Sequence, residues 1–426
     1  YRDWRACSVR TFRLENARVV TMDDALNVVD GVVDVCDGRI EHLGAATPWS
    51  GRRIDCGGDW VLPGFVQAHI HLCQTLFRHQ AEDRHLLRWL RERIWPLEGA
   101  HTPSTLRVSA EIGIAEMLLS GTTCFLDMGT VHHEDALAEV VDASGVRAAI
   151  GKAMMDAGEG VPATLLETTA SSLDESVRLA RRWHGADADR IRYAFAPRFV
   201  LSCTEELQRE VGRLSREHGY LIHTHTSEQV DEIALVEAQT GMRNVHYLDS
   251  LGLASPRAVF AHGVHLDDAE RATLVRTGTS VCHCPSSNLK LGSGVADVVR
   301  LRRAGVNVAL GADGAPCNNS LDAFVELRLA HLLQCLNLGP GALPAREALW
   351  MATRGGARAL SWDDRIGSVE VGKDADLIRL RRDDLRNGAG DDPYTSIVCS
   401  GMRDLVRDVW VRGEQLVASG VLTRID

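Results

Sequence analysis

The stretch Val61-Leu-Pro-Gly-Phe-Val-Gln-Ala-His69-Ile-His71 decides the fold of this protein. Its apolar residues predict a buried strand, and the Pro-Gly pair interrupts whatever structure precedes it. Successive side chains of a strand alternate between two faces, so His69 and His71 should point the same way. Two adjacent imidazoles at a strand end are either half of a metal site or two ordinary buried histidines.

From this strand to about residue 361, short apolar strands alternate with longer amphipathic helices. Eight such units predict a (β/α)8 TIM barrel of the α/β class rather than an open doubly wound sheet. No Gly-X-Gly-X-X-Gly follows the first strand, which disfavours a dinucleotide site. The predicted strands are Val61–Ile70, Thr122–Met128, Val146–Ala149, Ile191–Ala196, Tyr220–Thr226, Val259–His262, Thr279–Cys282 and Val306–Leu310. The predicted helices include Glu205–Glu217, Glu228–Gln239, Asp267–Thr277 and Ser320–Cys335.

Both chain ends have a different pattern, in which short β segments alternate with glycine-containing turns. Residues 1–60 contain such segments, and residues 362–426 contain more of the same kind. We therefore predict a small β-sandwich domain formed by residues 1–60 and 362–426 together. The barrel domain, residues 61–361, is inserted between them.

The composition excludes several classes of protein. A hydrophobic fraction of 45% in 426 residues suffices for a sizeable core, and the formal net charge of −11 argues against nucleic-acid or membrane partners. The 11 cysteines are odd in number and contain no Cys-X-X-Cys pair, which predicts reduced thiols in the cytoplasm. The first residues, Tyr1-Arg-Asp-Trp-Arg, contain no apolar signal region, and no apolar run reaches membrane-spanning length.

Metal-binding residue types follow the predicted strands at the end where barrel enzymes carry their reactive groups. Neutral imidazoles, one carboxylate and an open water position suit a catalytic zinc or iron. Histidine or aspartate occurs at the ends of five of the eight predicted strands, namely at His69 and His71, His223 and His225, His262, His283, and Asp313.

Four of these residues are the predicted ligands of one divalent metal ion, zinc by preference and iron as the alternative: His69, His71, His225 and Asp313. We choose His225 over His223 because it lies nearer the strand end and begins a His-X-X-Glu spacing. His223 is assigned a structural or supporting role. The fourth predicted strand contains no lysine that could bridge a second metal, so one metal is expected.

A divalent metal lowers the pKa of its bound water toward neutrality, which makes hydroxide available for hydrolysis. We predict that Asp313 accepts the proton of this water and that His262 holds the nucleophile in place. Glu228 would then donate a proton to the substrate, although a glutamate near a helix N-terminus is also favoured by the helix dipole alone.

The Pro-Gly-Phe-Val…His-X-His stretch, the His225-X-X-Glu228 spacing, Ala261-His262 and Gly311-Ala-Asp-Gly resemble the amidohydrolase superfamily. The chain is most similar to the branch of S-adenosylhomocysteine and 5-methylthioadenosine deaminases and s-triazine hydrolases. The segment from Cys284-Pro-Ser-Ser-Asn-Leu to Gly294 carries this likeness, as does Trp89-Leu…Ile94-Trp-Pro-Leu-Glu98. The resemblance implies that Trp89 stacks on the substrate and that Glu98 accepts hydrogen bonds from both ribose hydroxyls.

The chain departs from that branch after the fourth strand, where Pro197-Arg198 replaces the usual Pro-His. Arg198 brings a permanent charge and a fork of donors, so it should meet an acceptor or an anion, unless it forms a salt bridge at the rim. Lys152 and His283 are further candidate substrate contacts. Cys317 stands where serine is common, and its role is open.

The leading hypothesis is a metal-dependent hydrolytic deaminase of an adenosine-like nucleoside, such as 5'-deoxyadenosine, 5-methylthioadenosine or S-adenosylhomocysteine. Metal-bound hydroxide would displace ammonia. The alternative keeps the same groups for another N-heterocycle, namely a guanine-like base, a pterin or an s-triazine. A third hypothesis is a non-catalytic metal-binding protein, which the presence of Glu228 and His262 disfavours. Assembly into a homo-oligomer is expected from the resemblance.

Overall fold

The computed structural model of the chain describes residues 10–388 and 390–426. The first nine residues lie outside it. They include the N-terminal stretch for which the sequence predicts no apolar signal region. In chain order the strands are β1 (Phe12–Val20), β2 (Val28–Cys36), β3 (Arg39–Gly44), β4 (Arg52–Asp55), β5 (Trp60–Pro63), β6 (Phe65–His71), β7 (Thr122–Met128), β8 (Arg147–Gly151), β9 (Ala153–Met154), β10 (Ile191–Pro197), β11 (Leu221–Thr226), β12 (Ala258–His262), β13 (Ser280–His283), β14 (Val308–Leu310), β15 (Asp313–Gly314), β16 (Leu377–Leu380), β17 (Val406–Val411), β18 (Glu414–Ala418) and β19 (Val421–Leu422).

Eight parallel strands close into the predicted barrel. Their order is β6, β7, β8, β10, β11, β12, β13 and β14, and β14 pairs again with β6 at Leu310 and Gln67. The two-residue strands β9 and β15 extend the ends of the barrel beside β10 and β6. The TIM-barrel prediction is therefore confirmed.

The longer helices surround this barrel. They are Pro103–Leu119, Glu134–Ser144, Thr169–Trp183, Glu205–His218, Val230–Thr240, Asn244–Ser250, Asp268–Thr277, Pro285–Lys290, Val298–Ala304, Ala323–Leu338 and Ala345–Trp350. Local sequence sets their ends: Asp267 caps one helix by accepting from the backbone N–H of Glu270, and Gly278 ends it with φ of +70°. Between β6 and the first of these helices, residues 86–98 form a separate helical segment, which we call the covering helix. It consists of Leu86–Trp89, the π-turn Leu90–Ile94 and Trp95–Glu98.

The first barrel strand begins at Phe65, four residues later than the predicted Val61. Trp60–Pro63 instead pairs with β1 and β16 in the other sheet, and the chain crosses between the two sheets at Gly64. A Cβ at Gly64 would lie 2.0 Å from the side chain of Thr123, so only glycine fits this crossing. Apolar residues continue on both sides of it, which is why the sequence pattern does not reveal the break.

The described strands of the two chain ends form one separate, mostly antiparallel sheet of nine strands. Its order is β19, β18, β17, β16, β5, β1, β2 and β3, with β4 beside β1. A core that includes Phe12, Leu14, Val35 and Trp410 packs on this sheet. None of the described helices combines the length and the apolar character that a membrane crossing requires.

Candidate active site

The four predicted metal ligands converge at the carboxyl end of the barrel. His69 and His71 lie on β6, His225 lies on β11, and Asp313 begins β15 beside β6. Their candidate ligand atoms all lie within 4.8 Å of one another. Asp313 Oδ1 is 3.2 Å from His69 Nε2 and 3.3 Å from His71 Nε2. Folding thus brings together side chains that are up to 244 positions apart in a space suited to one cation.

The ring orientations fit a metal ion at this point. His71 Nδ1 lies 2.7 Å from the carbonyl oxygen of Met128, and His225 Nδ1 lies 2.7 Å from that of Arg198. Because a carbonyl only accepts, both Nδ1 atoms carry the proton and both Nε2 atoms present a lone pair. These two Nε2 atoms are 3.2 Å apart. Facing lone pairs repel unless a cation attracts both, so the donor set suits a divalent metal.

His223 lies behind this cluster rather than within it. Its Nε2 atom is 2.7 Å from Nδ1 of His69. This contact orients the ring of His69, whose Nε2 atom then faces Asp313. The arrangement fits the predicted choice of His225 as ligand and His223 as a supporting residue.

Burial sets the charges of these groups. Loss of hydration lowers the pKa of His69 to about 4 and holds the pKa of His225 well below its usual value. Burial also acts to raise the pKa of Asp313, but hydrogen bonds and charge from His69 and His71 outweigh it and hold that pKa well below its usual range. Neutral imidazoles and an ionised carboxylate are the forms that bind divalent metals.

Glu228 and His262 lie beside the ligand cluster. His262 Nε2 is 3.5 Å from Glu228 Oε2 and 3.9 Å from Asp313 Oδ2. Burial raises the pKa of Glu228, so its proton is retained to higher pH. Burial acts to lower the pKa of His262, but the two carboxylates outweigh it and raise that pKa. A carboxyl group and an imidazole whose pKa values are both raised therefore stand next to the candidate metal position.

Backbone strain occurs at the same place. His262 and Asp313 have φ of +73° and +62°, values that residues with a Cβ adopt at an energetic cost. Both residues end or follow barrel strands and carry predicted catalytic side chains. Such strain is typical of sites whose side-chain positions are fixed by function.

The segment after β13 holds the predicted catalytic side chains in place. The family resemblance pointed to this segment, but no role was predicted for its serines and its asparagine. Each of three residues contacts one predicted catalytic side chain: Ser287 Oγ donates to Asp313 Oδ2 at 2.6 Å, Asn288 Oδ1 accepts from His262 Nδ1 at 2.9 Å, and Ser293 Oγ donates to Glu228 Oε1 at 3.0 Å.

The ligand cluster faces a small cavity of about 30 Å³. This volume holds a few water molecules, whereas pockets for drug-sized ligands hold about 300–1,000 Å³. The described residues that line it are Leu86, Trp89 and Leu90 of the covering helix, together with His71, Gln74, Arg198, Phe199, His225, Glu228, Glu232, His262, Leu291 and Asp313. A nucleoside-sized substrate is larger than this volume, so part of the wall must move for one to fit.

The predicted substrate contacts occupy different positions. Trp89 and Arg198 line the cavity, and Glu98 lies behind Arg198 with its carboxylate on the guanidinium. Lys152 is buried and donates to Glu167 Oε2 at 2.6 Å, so its charge is already paired.

His283 is also buried, and neither ring nitrogen has a hydrogen-bond partner within the described part of the chain. Among the described residues, the cavity wall includes neither Lys152 nor His283. Cys317 is buried too, and its thiol donates to the carbonyl oxygen of Gly314 at 2.8 Å.

Three polar or aromatic wall residues were missed by sequence reasoning. Gln74 follows His71 by three positions, and Phe199 follows Arg198 directly, so proximity to a strand end was the available signal. Glu232 lies one helical turn beyond Glu228 and accepts from the backbone N–H of Glu228 at 2.9 Å. Its side chain also lines the cavity.

Comparison with known proteins is consistent with this geometry. Residues 60–416 match the model of the amidohydrolase family. The chain is 42% identical over 400 residues to the 5'-deoxyadenosine deaminase of Methanothermobacter thermautotrophicus, which covers 90% of this chain and 91% of the relative. It is 35% identical to the 5-methylthioadenosine/S-adenosylhomocysteine deaminase of Bacillus cereus, covering 96% and 95% of the two chains.

Solved structures with the same fold include two deaminases. An adenosine deaminase from Xanthomonas campestris with bound zinc superposes with a TM-score of 0.91 at 33% identity, covering 97% of this chain and 94% of that one. The guanine deaminase of E. coli superposes with a TM-score of 0.86 at 29% identity, covering 96% and 99%.

Proposed function

The chain belongs to the amidohydrolase family, and we propose from this premise that it is a metal-dependent hydrolytic deaminase of an adenosine-like nucleoside. The observation that carries the proposal is the placement of Glu228 and His262 beside the ligand cluster, on the wall of one cavity. A carboxyl proton donor and an imidazole next to a metal position are the groups that hydrolytic removal of an amine requires.

We propose that one divalent ion, preferably zinc, is held by His69, His71, His225 and Asp313. The zinc bound to the Xanthomonas campestris protein supports this choice of metal. When bound, the ion acidifies a water molecule and so supplies the nucleophile.

The chain's own residues handle the protons of this reaction. Asp313 Oδ2 lies near His262 and is the acceptor for the proton that the attacking water loses. His262, whose ring is oriented by Asn288, holds the water in line with the carbon that carries the amine. Glu228 donates a proton to the ring nitrogen beside that carbon. Asp313 then passes the proton that it accepted to the amine, the carbon–nitrogen bond breaks, and ammonia leaves. The hydroxyl proton of the addition product returns to Glu228, so that water and aminopurine give oxopurine and ammonia.

The substrate class rests on the relatives and on the cavity wall. The two relatives in the comparison are named for 5'-deoxyadenosine, 5-methylthioadenosine and S-adenosylhomocysteine, all adenosine derivatives. Trp89 on the wall offers an indole face for a purine to stack on. The alternative substrates, a guanine-like base, a pterin or an s-triazine, are favoured by one observation, the guanidinium of Arg198 on the same wall. A guanidinium can donate to the carbonyl oxygen of a guanine-like base.

Ammonia release tests the proposal directly. The purified protein, with its metal content measured in the same sample, is assayed with 5'-deoxyadenosine, 5-methylthioadenosine, S-adenosylhomocysteine, adenosine, guanine, a pterin and an aminotriazine. We expect turnover of the adenosine derivatives and a loss of about 100-fold or more in kcat for Glu228→Gln. Turnover of guanine or a triazine alone would favour the alternative. A fully metal-loaded protein that releases no ammonia from any of them would favour a non-catalytic metal-binding role.

We also propose a cytoplasmic location and a homo-oligomeric assembly. Nine described cysteines are free thiols, which supports a reducing compartment: Cys56, Cys73, Cys124, Cys203, Cys282, Cys284, Cys317, Cys335 and Cys399. Size measurement in solution tests the assembly.

A further inference from the structure

Arg198 and Glu98 form a buried ion pair beside the cavity. Arg198 Nη1 donates to Glu98 Oε2 at 2.5 Å, and Nη2 donates to Oε1 at 3.1 Å. At most 4% of either side chain is exposed. Gln74 Nε2 donates to the same Oε1 atom at 2.8 Å. The carboxylate of Glu98 therefore already accepts three hydrogen bonds from nitrogen donors, and the thiol of Cys73 lies 4.0 Å from Oε1 as a further, weak donor.

These hydrogen bonds limit how the carboxylate of Glu98 can bind a substrate. An ionised carboxylate has about four lone-pair sites, so at most one remains free on Glu98. Both hydroxyls of a vicinal diol can bind this carboxylate only if Arg198 or Gln74 leaves it. Separating the pair would leave two unpaired charges in a buried site, which is strongly unfavourable.

Arg198, in contrast, is on the cavity wall and retains free donors. A guanidinium has five N–H groups. Two hold Glu98, one faces Met155 Sδ at 3.7 Å, and the others remain for other acceptors. The backbone carbonyl of Arg198 accepts from Nδ1 of His225, so this residue stands directly beside the metal ligands. Because Glu98 compensates its charge, Arg198 offers donors without a net positive charge.

We propose that Arg198 is the residue that recognises the substrate, by donating to neutral acceptors such as a purine ring nitrogen or a ribose oxygen. Glu98 is a positioning residue that acts through Arg198 rather than by holding the diol itself. This inference rests on the proposed nucleoside deaminase and deepens it by naming how the substrate is recognised. From the sequence alone, the partner of Arg198 could be an anionic group of the substrate. In this proposal the partner is an uncharged acceptor.

Kinetics of the single and double variants test the inference. Arg198→Met, Glu98→Gln and the double variant are compared with adenosine, 2'-deoxyadenosine, 3'-deoxyadenosine, 5'-deoxyadenosine and S-adenosylhomocysteine. We expect each single variant to raise KM about tenfold or more for all five, with kcat within a few-fold of the unaltered enzyme. The double variant should be no worse than Arg198→Met, because Glu98 has no effect once Arg198 is absent.

Three outcomes would overturn the inference. They are an unchanged KM for Arg198→Met, single effects that multiply in the double variant, and a Glu98→Gln effect confined to substrates that carry both hydroxyls. The double variant contains no unpaired charge, so it stays informative if Arg198→Met fails to fold. The double variant Arg107→Met/Glu139→Gln, which removes an exposed ion pair between outer helices, is the matched control and should leave KM unchanged.

The same experiment separates this inference from the proposed function. If the unaltered enzyme deaminates none of the adenosine derivatives, the proposed function fails whatever the variants do. If it deaminates them and the variants show the pattern of a diol held by Glu98, the function stands and the role of Arg198 falls.

Discussion

Single hydrogen bonds decide which atoms of the candidate centre face the metal position. His71 and His225 use Nδ1 to donate to backbone carbonyls, and His69 uses Nδ1 to contact His223. Each contact leaves an Nε2 atom directed at the same small volume. Residues that never touch the metal therefore determine how well the centre binds it.

His223 provides a test of this dependence. His223→Ala removes the group that orients the ring of His69, and we expect metal affinity to fall by about 10- to 100-fold. Metal content after dialysis against graded chelator concentrations measures the change. His132→Ala, at an exposed position, is the matched control. Metal retention by His223→Ala equal to that of the control would contradict a supporting role for His223.

The buried carboxyl of Glu228 should shape the pH dependence of turnover. Burial raises its pKa, so the protonated donor persists above the usual range of a glutamic acid and is lost as pH rises through the raised value. We expect kcat/KM to decline on the alkaline side of a profile. Glu228→Gln, measured over the same pH range, should lack that limb, since glutamine does not ionise. An identical alkaline limb in the variant would assign the ionisation to another group.

Among the elements, the covering helix controls access to the cavity. Leu86, Trp89 and Leu90 close one side of it, and the π-turn Leu90–Ile94 interrupts the regular helix next to them. The side chain of Gln229 joins this helix to the loop that holds Glu228. Its Oε1 atom accepts from the backbone N–H of Leu86 at 3.3 Å, and its Nε2 atom donates to Ser293 Oγ at 3.1 Å.

Gln229→Met keeps the length of the side chain but removes these hydrogen bonds. We expect faster amide hydrogen exchange in the covering helix, because the closed position loses its contact with the loop. Exchange followed by mass spectrometry with peptides that span residues 86–98 measures this effect. Gln80→Met, at an exposed position before the helix, should leave the exchange unchanged. Equal exchange in the two variants would remove Gln229 as the contact that keeps the cavity closed.

For the whole molecule, a buried ion cluster links the barrel to the sheet formed by the chain ends. Arg147, at the start of β8, donates to Asp374 at 2.8 Å and to Asp376 at 2.8 and 3.1 Å. Arg147 is fully buried, and the two aspartates precede β16 of the other sheet. The barrel and the other sheet are therefore joined by buried charged groups that stay paired with each other.

Arg147→Met should destabilise the whole protein. Removing one partner of a buried ion pair costs about 3–5 kcal/mol, since the remaining charge is left unpaired. Asp376 would lose its charged partner in this variant, whereas Asp374 keeps Arg365 at 2.7 Å. Chemical denaturation measures the change in the free energy of unfolding, with Arg181→Met on the surface as the control. A variant as stable as the control would mean that water or a rearranged side chain compensates both aspartates. Metal content of the folded variant should stay unchanged, because the cluster lies at the opposite end of β8 from the ligands.

The sequence by itself determined the barrel, the family and the set of candidate ligands. These rest on local regularities: the alternation of strands and helices, the two-residue spacing of His69 and His71, and the repeated placement of such residues after strands. A strand directs its side chains by geometry that depends on a few neighbouring residues, so it can be inferred without the fold. The crossing at Gly64 shows the limit, because continuous apolar sequence belongs to two sheets there.

Only the tertiary structure decided what the predicted substrate-binding residues contact. Glu98 and Arg198 are 100 positions apart, yet they pair, and Lys152 is turned toward Glu167. The serines and asparagine after β13 acquire roles only because β12, β13 and β14 are neighbours in the barrel. Pairing between buried charges depends on which segments pack together and on how much water they exclude. That information belongs to the fold as a whole, and no local pattern of residues carries it.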